Sequence, residues 1–344
     1  MHFYLGLLII SCVITFLLMI PFISLLFRLK FTRKDEASEV RKGAPAAFYK
    51  IREMQSQKPM LVTGGGILIA FVVAVLFAIT AVIRSGENNL YSGHPIVGEL
   101  IAIFFTFLGF GLLGLYDDLI KILGFAKTGF FGLRMRHKFL IQWTLAFAAS
   151  AIIYWGLGID IANVPFVGVV RMGILAVPVF AFLIVTFANA FDITDGLDGL
   201  SCGLLMICLI AFWVIAMADL DHVLSLFISI WIGSVLAYLY FNIYPARIML
   251  GNVGGLAFGA TLAVVGIISG KMVALLVIGS VFLIEGGSSM LQLLSKRFMK
   301  KRLFPIAPVH HWLQLIGWEE PKIVARAWLA GLAAAVFGVW LALL

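Results

Sequence analysis

Charged residues are scarce in this chain. Asp, Glu, Lys and Arg make up only 12% of its 344 residues, whereas 62% are hydrophobic. Because an ordinary soluble domain carries about 25% charged residues, this shortage excludes a soluble globular enzyme. The composition instead predicts a protein that crosses a membrane several times.

Cysteine is also scarce, and its positions exclude two kinds of site. Cys12, Cys202 and Cys208 all lie inside apolar runs, so we expect neither a disulfide framework nor a zinc site. The first apolar segment has no basic stretch before it, and we therefore expect no cleavable signal peptide.

The formal net charge of +8 does not indicate nucleic acid as a partner. The lysines and arginines flank the apolar segments. This arrangement favours anionic membrane lipids or an anionic substrate as partners, and no nucleic acid.

Ten apolar segments are long enough to cross a membrane, since a spanning helix needs about 20 mostly apolar residues. They predict an all-α, polytopic membrane helical bundle that forms a single domain over residues 1–344. The predicted spans are 3–27, 60–83, 97–116, 139–157, 173–191, 201–218, 223–241, 253–270, 272–294 and 323–344.

The basic residues predict how the bundle is oriented. Of the 25 lysines and arginines, 22 lie in loops that follow odd-numbered spans or in the first turn of the span after such a loop. By the positive-inside rule these loops are cytoplasmic, and both termini are extracytoplasmic.

Polar clusters fall in the same predicted cytoplasmic loops. Asp117 and Asp118 follow the third span, and Asp192, Asp195 and Asp198 follow the fifth. We expect one composite site, because unrelated clusters would be scattered over both faces. The other clusters on this face are Lys58 with Thr63, the stretch 242–252, and His310 with His311.

The adjacent carboxylates suggest a metal. Asp117 and Asp118 could mark only a helix end that Lys121 neutralises one turn later. With Asp195 and Asp198 on the same face, a divalent-metal site is favoured, since Mg²⁺ takes oxygen ligands and keeps water and phosphate among them. A metal and a lysine together can neutralise the charge that develops in phosphoryl transfer.

Three other motifs have plain alternatives. The stretch 195–199 lacks the downstream glutamate of an EF-hand; its glycines, Gly196 included, suit close approach to a ligand, and a simple turn is the alternative. The glycine-rich start of the helix after 242–252 suits an anion, or is only a connecting loop. Glu285 is expected to face the bundle interior as a structural partner.

Together these motifs resemble the phospho-N-acetylmuramoyl-pentapeptide transferase (MraY) family of the polyprenyl-phosphate hexose-1-phosphate transferase superfamily. The span count and length agree over the whole chain, and the histidine segment with the Gly-Trp-x-Glu tail favours this family over its N-acetylglucosamine-transferring relatives. The matching stretches are Asp117-Asp118-x-x-Lys121, Asn189-Ala-x-x-x-Thr194-Asp195-Gly-Leu-Asp198, Asn242-x-x-Pro-Ala-Arg247, 285–292 and Ala307-Pro308-Val309-His310-His311.

The resemblance implies a reaction in peptidoglycan biosynthesis. Phospho-MurNAc-pentapeptide is transferred from UDP-MurNAc-pentapeptide to undecaprenyl phosphate, giving lipid I and UMP with Mg²⁺ as cofactor. The implied location is the bacterial inner (plasma) membrane with a cytoplasmic active site, and a homodimer is implied by analogy.

The resemblance also implies roles for single residues. Catalytic roles fall to Asp117, Asp118 and His310. Metal-binding roles fall to Asp117, Asp118, Asp192 and Asn252. Substrate-binding roles fall to Lys58, Thr63, Lys121, Lys138, Asp195, Gly196, Asp198, Asn242, Gln292 and His311.

Departures from the family pattern leave alternatives open. Asp192 stands where the family usually has Asn, Asn252 where it has a metal-binding Asp, and Gly255 where it has Ser. We hypothesise that Asp192 and Asn252 face each other, so that the metal ligand has exchanged loops. The alternatives are an inactive protein of this kind, a related N-acetylglucosamine-1-phosphate transferase, or a transporter. A transporter should carry its ionisable residues near mid-membrane.

Overall fold

Helices form most of the computed structural model, which describes residues 1–32, 61–86, 91–123 and 135–344. The helices are α1 (His2–Arg28), α2 (Gly65–Gly86), α3 (Ile96–Leu123), α4 (Met135–Ala151), α5 (Ala176–Thr194), α6 (Leu200–Ala218), α7 (His222–Asn242), α8 (Gly251–Ile268), α9 (Met272–Ile278), α10 (Ser280–Phe298), α11 (Val309–Leu315) and α12 (Glu320–Leu343). The strands are β1 (Val62–Thr63), β2 (Ile161–Val164), β3 (Gly168–Arg171) and β4 (Ile248–Met249).

The predicted fold class is confirmed. Within the described ranges, nine helices are long and apolar enough to cross a membrane, and the bent pair α9–α10 makes ten if it counts as one span. The lipid-facing helices expose their apolar residues: only 17% of the most apolar window of α1 is buried. Apolar side chains exposed in this way are expected where a helix faces the hydrocarbon core of a bilayer. The orientation of the termini stays a prediction.

The ninth predicted span, 272–294, is broken in the structure. Helices α9 and α10 meet at Gly279 with a bend of 76°. Gly279 lies against the ring of Phe187, where a side chain would not fit. Its N–H bonds back to the carbonyl of Leu275, which closes the last turn of α9. The apolar composition runs through the bend, so hydropathy alone could not reveal it.

The core lies around α7 and α8, whose most apolar windows are both 89% buried. Helix α8 packs along α3 and α5, and α7 packs along α1 and α6. Aromatic rings fill the space between α3, α7 and α8, with Phe107 stacked on Phe258 and both edge-on to Trp231. The polar ends of α3, α5 and α8 are thereby brought to one end of the bundle.

A short parallel strand pair sets the start of α8. Val62 pairs with Ile248 and Thr63 with Met249, so the chain enters α2 and α8 side by side. Three glycines then let the main chains come very close. A Cβ on Gly66 would collide with the backbone of Gly254, and one on Gly114 would collide with the carbonyl of Asn252.

Candidate active site

Two lysines surround the carboxylate of Asp117 at the end of α3. Lys121, one turn later, places Nζ 3.1 Å from Asp117 Oδ2. Lys138 of α4 places Nζ 3.3 Å from the same oxygen and 3.3 Å from Asp192 Oδ2 of α5. Lys138 therefore joins acidic groups that lie 75 positions apart in the chain.

The first turn of α8 completes this cluster. The backbone N–H of Asn252 donates to Asp118 Oδ2 at 2.9 Å, and its side-chain amide donates to Asp117 Oδ2. A helix N-terminus favours negative charge, which suits both aspartates. Gly251 has φ +79°, and a Cβ there would lie 3.0 Å from both Asp118 Oδ2 and Thr63 Oγ1. Thr63 and Asp118 thus both lie against Gly251, and a role of Thr63 in substrate binding stays a prediction.

Gly255 leaves room for Asp192. A Cβ on Gly255 would lie only 2.6 Å from Asp192 Oδ1, so any side chain at this position would push the carboxylate away. Asp192 therefore reaches the first turn of α8 from α5. Asn252 contacts Asp117 directly, while Asp192 reaches Asp117 through Lys138.

The donor atoms of this cluster suit a hard cation. Asp117 and Asp118 are 2% and 4% exposed, and carboxylate and amide oxygens are the ligands that Mg²⁺ takes. In the described part of the chain, no three His, Cys, Asp or Glu side chains already converge on one metal position. Lysine and amide N–H groups contact the Asp117 carboxylate instead, so a bound cation would replace some of these contacts.

The stretch 195–199 is a braced loop. Ser201 Oγ donates to Asp195 Oδ1 at 2.5 Å. Asp198 accepts a bond from the backbone of Ala246 at 3.1 Å, and its own N–H donates to Glu320 Oε1 at 2.7 Å. These bonds tie the loop to α6, to the chain before β4 and to α12, so a simple free turn does not describe it.

Gly199 ends this loop in a conformation that favours glycine, with φ +78°. Its N–H donates to Asn242 Oδ1 at 3.1 Å, and its carbonyl accepts from Trp328 Nε1 at 3.2 Å. The amide nitrogen of Asn242 donates to the carbonyl of Ile248 at 3.0 Å. Asn242 therefore holds two loops together, and its contact with substrate stays a prediction.

Gln292 has a similar bracing role. Its Oε1 accepts from the backbone of Leu303 and Phe304, each at 3.0 Å, and its Nε2 donates to the Phe304 carbonyl at 2.9 Å. These bonds hold the chain that leads to α11. A contact between Gln292 and substrate stays a prediction as well.

His310 lies between Glu285 and the braced loop. Its Nδ1 is 2.9 Å from Glu285 Oε2, and a Cβ on Gly196 would lie 2.5 Å from its Nε2. His311 turns to a different partner, Gln314 Oε1, at 2.9 Å. Glu285 is 6% exposed, so the expectation that it faces the bundle interior is confirmed.

The structure adds residues that the sequence did not single out, and it leaves one prediction unplaced. Ser201 and Trp328 both form hydrogen bonds to the 195–199 loop. Glu320, which accepts from the N–H of Asp198, is the last residue of the Gly-Trp-x-Glu tail, and the family resemblance was the only signal for it in the sequence. Lys58, predicted to bind substrate, lies outside the described residues.

Comparison with known proteins covers the chain almost completely. A family model described as Glycosyl transferase family 4 matches residues 100–270, which include the lysine–aspartate cluster and the braced loop. The histidine segment lies beyond this match.

Curated relatives extend the similarity to both ends. A phospho-N-acetylmuramoyl-pentapeptide-transferase of Staphylococcus haemolyticus is 33% identical over 337 residues, covering 97% of each chain. One from Limosilactobacillus fermentum is 34% identical and covers 97% of this chain and 96% of its own. One from Acetivibrio thermocellus is 32% identical, with 92% and 88% covered.

Proposed function

The chain belongs to the phospho-N-acetylmuramoyl-pentapeptide-transferase family, and on this premise we propose that it transfers phospho-MurNAc-pentapeptide from UDP-MurNAc-pentapeptide to undecaprenyl phosphate. The products are lipid I and UMP. The reaction takes place at the cytoplasmic face of the bacterial inner membrane, as a step of peptidoglycan synthesis.

One observation carries this proposal: acidic groups of α3 and α5 share Lys138 beside the first turn of α8. A transfer between two phosphates brings several negative charges together, and positioned cations are what such a reaction needs. Lys121 and Lys138 are close enough to exchange their carboxylate contacts for phosphate oxygens. The same lysines attract two anionic substrates, an effect that weakens with salt.

Asp117, Asp118, Asp192 and Asn252 would hold Mg²⁺. When bound, the ion supplies positive charge to the pyrophosphate oxygens. Asn252 would take part through its amide oxygen, which requires the side chain to turn from its present N–H contact with Asp117. The site has three carboxylates, as the family pattern has, because Asp192 adds one where Asn252 lacks one.

The proposed function is tested by UMP release from the purified full-length protein in detergent. Undecaprenyl phosphate is supplied with UDP-MurNAc-pentapeptide or with UDP-N-acetylglucosamine, with and without a chelator. We expect UMP only from the first nucleotide sugar and only with a divalent ion. Release from UDP-N-acetylglucosamine alone would identify a related transferase, and no release with any divalent ion would identify an inactive relative.

The metal assignment is tested by Asp192→Asn, Asn252→Asp and the double variant. We expect Asp192→Asn to lose Mg²⁺-dependent turnover, because it removes a carboxylate beside Lys138. The double variant should recover part of it, because the carboxylate returns at position 252. Full activity of Asp192→Asn would show that the ligand has not exchanged loops.

A further inference from the structure

A second polar contact joins α4 to α5, one turn further into the bundle than Lys138 and Asp192. The side-chain amide of Asn189 donates to Gln142 Oε1 at 2.9 Å. The same nitrogen donates to the carbonyl of Val185, one turn earlier in α5, at 2.8 Å. Because the bond within α5 fixes the amide, its other N–H points across to α4. Gln142 lies outside the motifs that support the family resemblance.

The spacing along each helix places this contact and the ion pair on the same two helix faces. Lys138 and Gln142 are four positions apart in α4. Asn189 and Asp192 are three positions apart in α5. Side chains at these separations lie on one side of a helix, one above the other. Since Lys138 Nζ lies 3.3 Å from Asp192 Oδ2, the amide contact and the ion pair are two successive links across one helix–helix interface.

The surroundings of Gln142 are unfavourable for an amide. The side chain is fully buried, and its Nε2 has no hydrogen-bond partner among the residues that the structure describes. A buried donor without a partner destabilises a fold, and an apolar side chain of the same size would avoid this. Departures of this kind are expected where function requires them. They point to a use of the Gln142 amide oxygen other than stability.

We propose that Gln142 is a positioning residue that fixes the rotation of α5 against α4 through its bond with Asn189. In that rotation the carboxylate of Asp192 reaches Lys138. The inference rests on the proposed function and adds a residue that acts on the reaction through its neighbour. Because Asn189 and Asp192 belong to one helix, a rotation of α5 that broke the amide contact would also move the carboxylate. Lys138 would then pair with Asp117 alone.

The first test replaces Gln142 by Leu, which has a similar size but no amide oxygen. The variant removes the unpartnered Nε2 and frees one N–H of the partly buried Asn189, so the thermal unfolding temperature should not fall. We expect UMP release to fall about tenfold to a hundredfold, the effect typical of losing a residue that orients a metal ligand. A merely structural residue would lower the unfolding temperature and the turnover together.

Ser150→Ala is the matched control on α4. Ser150 is also fully buried, but its hydroxyl donates to the carbonyl of Ala146 in the same helix, at 2.8 Å. This variant removes a buried polar group whose bond lies within α4. It should therefore keep the UMP release of the wild type.

A second measurement requires no turnover. Lys138 and Lys121 are acylated by an amine-reactive reagent, and the modified peptides are quantified by mass spectrometry. An amine reacts in its uncharged form, whereas a neighbouring carboxylate favours the charged form. In Gln142→Leu, Lys138 should react about twofold faster or more, which corresponds to a weak pair coupling. Lys121 is the internal reference, because its ion pair with Asp117 lies within α3, and its rate should stay unchanged.

UMP release at the wild-type rate by Gln142→Leu would overturn the proposal, and so would unchanged acylation of Lys138. A lower unfolding temperature with equal rate changes at Lys138 and Lys121 would also overturn it, because Gln142 would then be structural only. The proposed function fails separately, if the wild type releases no UMP. The acylation rates test the link between α4 and α5 even in that case.

Discussion

Acidic residues lie at both ends of α3, and their surroundings differ. At the end of the helix, Asp117 contacts Lys121 and Lys138. At its start, Glu99 is fully buried beside Asp221, the residue that precedes α7. Among the described residues no lysine or arginine forms an ion pair with either of these two acids.

The two ends therefore keep their acids by different means. Lysines compensate the carboxylates near α8 while leaving them able to exchange partners with an incoming ligand. At the other end, burial raises the pKa of Asp221, and its carboxylate caps α7 by accepting from the N–H of Leu224 at 2.9 Å. Acids compensated by lysines suit chemistry, and buried acids without such compensation suit structure, so substitutions at the two ends should have different effects.

The largest expected effect is that of Asp117→Asn. Its Oδ2 contacts Lys121, Lys138 and Asn252 at once, so loss of the charge disperses the cluster. We expect UMP release to fall by about 10²–10³-fold, the size of effect seen when one preorganised electrostatic group is removed. The control is Asp219→Asn, an exposed acid near the other end of the bundle, which should retain wild-type turnover. Equal losses in both variants would remove the distinction between the ends.

A smaller effect is expected for Lys138→Gln. The variant removes contacts to Asp117 and Asp192 together, and we expect UMP release to fall about tenfold to a hundredfold. In the double variant Lys138→Gln/Asp192→Asn, the loss of transition-state stabilisation should be smaller than the sum of the two single losses. We expect the difference, which is the coupling energy between the two residues, to be about 0.5–3 kcal/mol. Strictly additive losses would show that Lys138 does not join the two acids. Lys271→Gln should leave UMP release unchanged, because Lys271 donates to the carbonyl of Ala342 at the opposite end of α8 from the site.

Gly255→Ala should have a moderate effect on both stability and turnover. The added methyl would occupy the position 2.6 Å from Asp192 Oδ1, and overpacking of this kind costs about 1–3 kcal/mol. Gly111→Ala is the matched control in α3, because its nearest neighbour lies 3.8 Å away. Thermal unfolding and UMP release should separate the two variants. If Gly255→Ala behaves like Gly111→Ala, the position of the Asp192 carboxylate does not depend on the absence of a side chain at residue 255.

The smallest effect concerns Asp221 and pH. Because burial raises its pKa, folded Asp221 holds its proton more tightly than the unfolded chain does. This contribution to stability is complete below the ordinary carboxyl pKa of about 4 and is lost as the pH rises through the raised value. Asp221→Asn keeps a cap for α7 and should flatten the fall of Tm with pH. Asp219→Asn should keep the wild-type slope, and a flattened slope in that variant would contradict the assignment.

Much of the architecture could be predicted because the length of an apolar segment is a local property of the sequence. The bend at Gly279 could not, since it depends on contact with Phe187 rather than on composition. For the site, the sequence indicated which residues to gather but not their partners. The contacts of Asp192 with Lys138 and of Glu285 with His310 join residues far apart in the chain, and they appear only once the helices pack.

The glycines at Gly66, Gly114 and Gly254 bring main chain against main chain around the start of α8. Backbone surfaces have no rotamers, so this junction cannot relax by turning a side chain. Adjustment to a bound substrate must come from flexible tips such as those of Lys121 and Lys138. A change in bilayer thickness that tilts the outer helix α1 should consequently leave the spacing between Asp118 and the Asn252 backbone nearly constant.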